Sequence, residues 1–109
     1  MEWITAVSMY QKMSELPQLD TRAVQKAVYQ NKVAHHFNVT DVDLEFLLLY
    51  GEVGEAVEAY HKKSREELAA ELADVAIYLL GMAEILEIDL GAAVNKKMAY
   101  NRIRKDHEN

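Results

Sequence analysis

Apolar residues recur three and four apart along almost the whole chain, a spacing that predicts helices and no strands. A first helix is predicted over about residues 2–15, with Trp3, Val7 and Tyr10 on one side and Pro17 marking its end. Asp20 or Thr21 can cap a second helix, whose inward stripe is Val24, Ala27, Val28 and Ala34 and which ends near His35-His36-Phe37-Asn38. Thr40 and Asp43 have the spacing of a capping box and open a third helix. Its first turns, carrying Leu44, Leu47, Leu48 and Leu49, leave hardly any face polar, so burial on several sides is expected. Ser64 and Glu67 form a second capping box, which puts a short connection at Lys62 and Lys63 and makes helices three and four antiparallel neighbours. Asp89 caps a last helix, with Leu90, Ala93 and Val94 beginning its inward stripe.

The run V-A-I-Y-L-L-G-M-A at residues 75–83 is apolar on all sides, more than one small bundle can cover. The expected architecture is therefore all-α: an antiparallel bundle of four to five helices completed by oligomerisation, as a homodimer or homotetramer. A chain of 109 residues reads as a single domain, with a helical N-terminal part over 1–40 and a motif-bearing core over 41–105. No internal repeat or low-complexity stretch interrupts it.

Composition narrows the chemistry. The absence of cysteine excludes disulfides, thiolate-bound zinc and thiol catalysis. No signal-like start and no apolar run of the roughly 20 residues that span a bilayer are present, so no membrane role and a cytoplasmic location are expected. A net charge of −6 argues against general nucleic-acid binding. The charge is uneven: seven of the 18 acids lie within residues 52–74, whereas residues 91–105 hold five of the 12 bases and no acid.

Within the acidic stretch, Glu52 with Glu55 and Glu71 with Asp74 form two acid-x-x-acid pairs. Residues three apart share a helix face, so each pair presents two carboxylates to one point. If the two helices form a hairpin, all four can converge, and dense oxygen ligation suits a hard divalent cation such as Mg²⁺, or Mn²⁺. The plain alternative is a solvated acidic face. Against it, Glu52 stacks between Leu48 and Ala56, and Asp74 opens directly into the apolar run with Tyr78 one turn on. Glu58 has Lys62 one turn on for an ordinary ion pair. Glu58-x-x-His61 is a single copy of a motif that di-iron carboxylate bundles use twice. His35 and His36 read as a helix terminus or a substrate contact. On the last helix Lys97, Asn101 and Arg104 continue the face that began apolar, either facing something anionic or favouring the helix dipole.

The order E-V-G-E, then E-L-A-D-V-A-I-Y-L-L, then I-D-L-G-A-A-V-N-K-K-M-A-Y-N-R-I-R-K closely resembles the MazG-like nucleoside triphosphate pyrophosphohydrolases, over about residues 44–105. This all-α superfamily also includes dimeric dUTPases and dCTP pyrophosphatases. The resemblance implies that Glu52, Glu55, Glu71 and Asp74 are catalytic and bind Mg²⁺, that Lys97, Asn101 and Arg104 hold a triphosphate, and that Tyr78 packs on the sugar. The implied reaction is water attack on the α-phosphorus of a nucleoside triphosphate, giving the monophosphate and pyrophosphate. Many relatives carry a second Glu where this chain has Gly51, and the dCTP-cleaving members carry a Trp near Tyr60-His61-Lys62. A phosphoribosyl-ATP pyrophosphohydrolase-like enzyme is a second reading. A helical dimerisation or regulatory module without the chemistry is a third, which the presence of all four carboxylates disfavours.

Overall fold

The computed structural model describes residues 19–104. They form four helices, α1 (Thr21–Ala34), α2 (Val42–Lys62), α3 (Arg65–Ile85) and α4 (Leu90–Ile103), and no strand occurs among them. The helix expected over residues 2–15, with Trp3, Val7, Tyr10 and Pro17, lies outside the described residues.

Every helix starts on a short polar side chain that takes an otherwise unpaired backbone N–H, each worth about 1 kcal/mol. Asp20 accepts from Ala23, Asp41 from Leu44, Ser64 from Glu67 and Asp89 from Ala92, all at 3.1 Å. The start of α2 corrects the Thr40/Asp43 expectation by one residue. Asn38 Oδ1 accepts the backbone N–H groups of Thr40 (3.3 Å) and Asp41 (3.0 Å), and this turn delivers Asp41 to the cap position. The second capping box is present, with Ser64 Oγ also donating to Glu67 Oε1 at 3.4 Å.

Two helices end on a left-handed residue that is not glycine. After α1, His36 (φ 58°) lets Phe37 N–H reach the Lys32 carbonyl at 2.8 Å; after α3, Glu87 (φ 57°) lets Ile88 N–H reach the Ala83 carbonyl at 2.8 Å. Both are Schellman closures.

The two-residue link Lys63-Ser64 folds α2 and α3 into a hairpin, α1 lies on α3, and α4 touches α1. The buried apolar residues among those described are Ala56 and Ala59 on α2 and Met82 and Ala83 on α3. The stripe expected on α1 is corrected, because the buried positions are Gln25 and Lys32, whereas Val24 and Val28 are half-buried and Ala27 and Ala34 exposed. Gln25 replaces apolar packing with hydrogen bonds, donating to the Ile88 carbonyl (2.8 Å) and Glu84 Oε1 (3.2 Å) and accepting from Leu90 N–H (3.0 Å). These bonds pin the start of α4 to α1. Gly91 allows the approach, since a Cβ there would lie 2.1 Å from Thr21 Oγ1. Beyond that point α4 loses cover: Leu90 is half-buried, but Ala93 and Val94, expected inward, are exposed.

Much apolar surface is exposed among the described residues. In the 75–83 run Gly81, Met82 and Ala83 are buried while Ile77 and Leu79 are 44% and 43% exposed, and on α2 Leu47 and Tyr60 are 67% and 70% exposed. Val53, Val57, Tyr60, Leu68, Leu72 and Val75 line an apolar groove of about 580 Å³ along the hairpin. No helix among the described residues is long and apolar enough to cross a membrane.

Candidate functional site

The hairpin aligns the two acidic pairs by register. Glu55 and Glu71 each lie eight residues from Lys63, and Glu52 and Asp74 each lie eleven, so an antiparallel fold about Lys63 levels one pair with the other. Glu52, Glu55 and Glu71 each bring a carboxylate oxygen to within 4.8 Å of the other two. Asp74, one turn along α3, stands outside that trio but within its field.

The electrostatics are those of crowded like charges. Burial, then a hydrogen bond and charge repulsion from Glu55, then the charges of Asp74 and Glu71 push Glu52 up to about 7. Burial raises Glu71 as well, helped by Glu55 and Asp74 and opposed by Lys63. Asp74 is raised by burial and by Glu55. Glu52 Oε2 and Glu71 Oε2 are shielded from solvent and meet no hydrogen-bond donor. Leaving such an acceptor unsatisfied is costly.

A divalent cation fits this donor set. Mg²⁺ takes oxygen ligands at about 2.1 Å, so ligand atoms on its opposite sides stand about 4.2 Å apart, close to the spread found here. The two orphaned oxygens would gain a partner, and the repulsion that raises Glu52 would be offset. Glu52, Glu55 and Glu71 are the residues that could hold such an ion, with Asp74 alongside.

Tyr78 sits one turn beyond Asp74, half-buried. Burial raises its hydroxyl, followed by the charges of Glu52, Glu45, Asp74 and Glu55. Tyr78 also lines a cavity of about 140 Å³, together with Val28, Asn31, Lys32, Phe37, Ile77 and Gly81. Lys32 Nζ lies 5.4 Å from the Tyr78 ring centroid.

The cationic residues are grouped on α4. Lys97 and Arg104 both lie over the Tyr100 ring on α4, at 4.8 Å and 5.3 Å from its centroid. Asn101, half-buried, has an Oδ1 that is shielded and without a partner. Lys97 and Asn101 lie on α4 and Arg104 caps its end, and this helix packs on α1.

Other candidates resolve simply. His36 is the left-handed residue that closes α1, and His35 stacks on Phe37 with ring centroids 5.5 Å apart. No ion pair joins Glu58 to Lys62 among the described residues. His61 is edge-on to Tyr60 at 5.0 Å and is not in the carboxylate group. The sequence reading missed Lys32 and Glu45, a buried ion pair at the edge of the site with Nζ 2.5 Å from Oε1. A signal was available: Glu45 is the one charge in a leucine-rich turn and lies seven residues before Glu52, hence on the same helix face.

Comparison with known proteins agrees with this geometry. Residues 43–108 match the family model described as the MazG nucleotide pyrophosphohydrolase domain. Over 71 residues the chain is 41% identical to dCTP pyrophosphatase 1 of Rattus norvegicus, a match that covers 53% of this chain and 42% of that protein. No solved structure matches. The family match spans more than half of the chain and includes both acidic pairs and all of α4, and on that ground the chain belongs to the MazG nucleotide pyrophosphohydrolase family.

Proposed function

We propose that the protein is a Mg²⁺-dependent pyrophosphohydrolase that cleaves nucleoside or deoxynucleoside triphosphates between the α- and β-phosphates. The observation that carries this reading is the convergence of Glu52, Glu55 and Glu71 with two shielded, unpartnered oxygens, inside a stretch that matches the family. Water adds to the α-phosphorus, the bond from that phosphorus to the bridging oxygen breaks, and pyrophosphate leaves with the electron pair. The water's protons pass to a carboxylate and to solvent.

Glu52, Glu55, Glu71 and Asp74 would hold Mg²⁺, which when bound polarises phosphoryl oxygens and makes water a better nucleophile. The protein's own part is to fix the triphosphate. Lys97, Asn101 and Arg104 supply the cationic and amide donors for it, stabilising the charge that builds on the leaving group. Tyr78, one turn from Asp74 and lining the cavity with Phe37 and Ile77, packs on the sugar and directs the nucleoside away from the ion. The bare apolar faces of α2 and α3 are covered by further copies of the chain in a homodimer or homotetramer.

The test is pyrophosphate release from a panel of ribo- and deoxyribonucleoside triphosphates and phosphoribosyl-ATP, with and without Mg²⁺. Metal-dependent release of pyrophosphate with the monophosphate as co-product is the expected result. Release of inorganic phosphate alone, or no turnover of any of them, contradicts the assignment.

A further inference from the structure

One ammonium group joins three helices. Lys32 rises from α1, its Nζ donates to Glu45 on α2, and the same nitrogen lies over the ring of Tyr78 on α3. Its stem crosses α3 closely, with Lys32 Cδ 3.7 Å from the place where a Cβ on Gly81 would stand. Glu45 has no exposed surface at all and Lys32 is 9% exposed. The second oxygen of Glu45 accepts from Asn38 Nδ2 at 2.9 Å, and Asn38 also donates to the Asp41 carbonyl at 2.8 Å, so the pair is anchored to the α1–α2 turn.

Such a pair is a poor choice for stability alone. Taking both charges out of water costs as much as their attraction returns, and apolar residues of like volume often serve as well or better. What apolar residues cannot do is fix a direction. The ammonium is held by Glu45 on one side and faces a ring quadrupole on the other, so it defines where the Tyr78 ring sits. That ring lines the cavity of about 140 Å³ and stands one turn along α3 from Asp74.

We propose that the Lys32–Glu45 pair, braced by Asn38, is a positioning device for Tyr78 that sets the width of the slot receiving the nucleoside end of the substrate. This rests on the triphosphate reading above. Glu45 acts through Lys32 and Tyr78, and Lys32 itself also lines the cavity, so losing the pair weakens substrate capture and leaves the phosphoryl chemistry intact.

The experiment is the double exchange Lys32→Met with Glu45→Leu, which replaces the charges by apolar groups of similar volume. The melting temperature of the double variant equals or exceeds that of the wild type, whereas either single exchange lowers it by stranding one buried charge. KM for the preferred nucleotide rises about tenfold with kcat within about threefold. In NMR spectra the Tyr78 ring signals, assigned with Tyr78→Phe, move or broaden in the double variant. A double variant with wild-type KM and unmoved Tyr78 signals overturns the proposal. If the double exchange does not fold, Glu45→Gln, which keeps the volume and strands the Lys32 charge, is read by KM and the Tyr78 signals alone, with a lowered melting temperature expected. Should the wild-type protein cleave no nucleotide, the catalytic reading falls, and the Tyr78 signals alone still decide the positioning claim.

Discussion

Glu52 on α2 and Glu71 on α3 face each other across the hairpin with carboxylate oxygens within 4.8 Å, and each keeps one oxygen that neither solvent nor any donor reaches. Two anions so placed repel unless something positive stands between them. This relation, rather than the number of acids in the stretch, separates a site from a solvated face.

Glu71→Gln tests the role of the cluster in turnover. The amide keeps the volume and removes one ligand charge, so turnover is expected to fall below detection with helical content and oligomeric state unchanged. The metal-free melting temperature should rise, because a repulsive charge has gone. Near-wild-type pyrophosphate release by this variant contradicts the assignment of Glu71.

The pH dependence of the metal-free protein follows from the raised carboxylates. Glu52 moves from 4.5 to about 7 on folding, so between those values the native state binds more protons than the unfolded chain. Stability therefore falls as pH rises through that window. Glu71 and Asp74, shifted in the same direction, add to the slope. Melting in EDTA should show a higher midpoint near pH 5 than near pH 8. The gain given by Mg²⁺ should grow as pH rises towards 8, because the ion needs the deprotonated groups. A metal-free midpoint that rises with pH contradicts this reading of the cluster.

Helix ends offer a stability change remote from the site. Glu87 holds φ 57° at the close of α3, a conformation glycine adopts without the Cβ penalty. Glu87→Gly should stabilise the protein by about 0.5–1 kcal/mol, net of the greater freedom glycine has when unfolded. Thermal melting checks this, with KM and kcat unchanged; a lower midpoint contradicts it.

The bare apolar groove bears on assembly. With Leu72 55% and Tyr60 70% exposed in the protomer, no stable folded monomer is expected at micromolar concentration. Sedimentation should show a dimer or tetramer, and Leu72→Glu should shift it towards a monomer that melts without cooperativity. A compact wild-type monomer with a cooperative melt contradicts the account of the groove.

The sequence made the helices legible because their starts are local. Asp20, Ser64 and Asp89 cap where the pattern placed them, and the hairpin about Lys63 follows from the Ser64 capping box. The convergence of Glu52, Glu55 and Glu71 was legible for the same reason, since it follows from spacing within a helix and a short link, whereas Asp74 stands outside that trio. Burial was less so. On α1 the periodic apolar residues pointed to Val24 and Ala27, but Gln25 and Lys32 are the buried ones, because partners distant in sequence, Ile88, Leu90 and Glu45, satisfy them. The one-residue shift of the α2 cap has a similar origin in Asn38, whose side chain organises the turn. Ala93 and Val94 were read as inward from the pattern alone, and the helices described leave both exposed.

The most direct test of the metal site uses no substrate. A cation bound only by the folded form stabilises it by about 2.7 kcal/mol at a hundred times its dissociation constant. For a domain of this size about 1 kcal/mol shifts the midpoint by roughly 4–8 °C. Melting in millimolar MgCl₂ or MnCl₂ is compared with NaCl of equal ionic strength at fixed protein concentration, for the wild type and for Glu52→Gln with Asp74→Asn. The account predicts a midpoint several degrees higher with the divalent ion, and no such difference in the double variant, whose metal-free midpoint is itself raised. Superimposed Mg²⁺ and Na⁺ curves for the wild type would mean that the carboxylates respond only to screening, and would contradict the metal site.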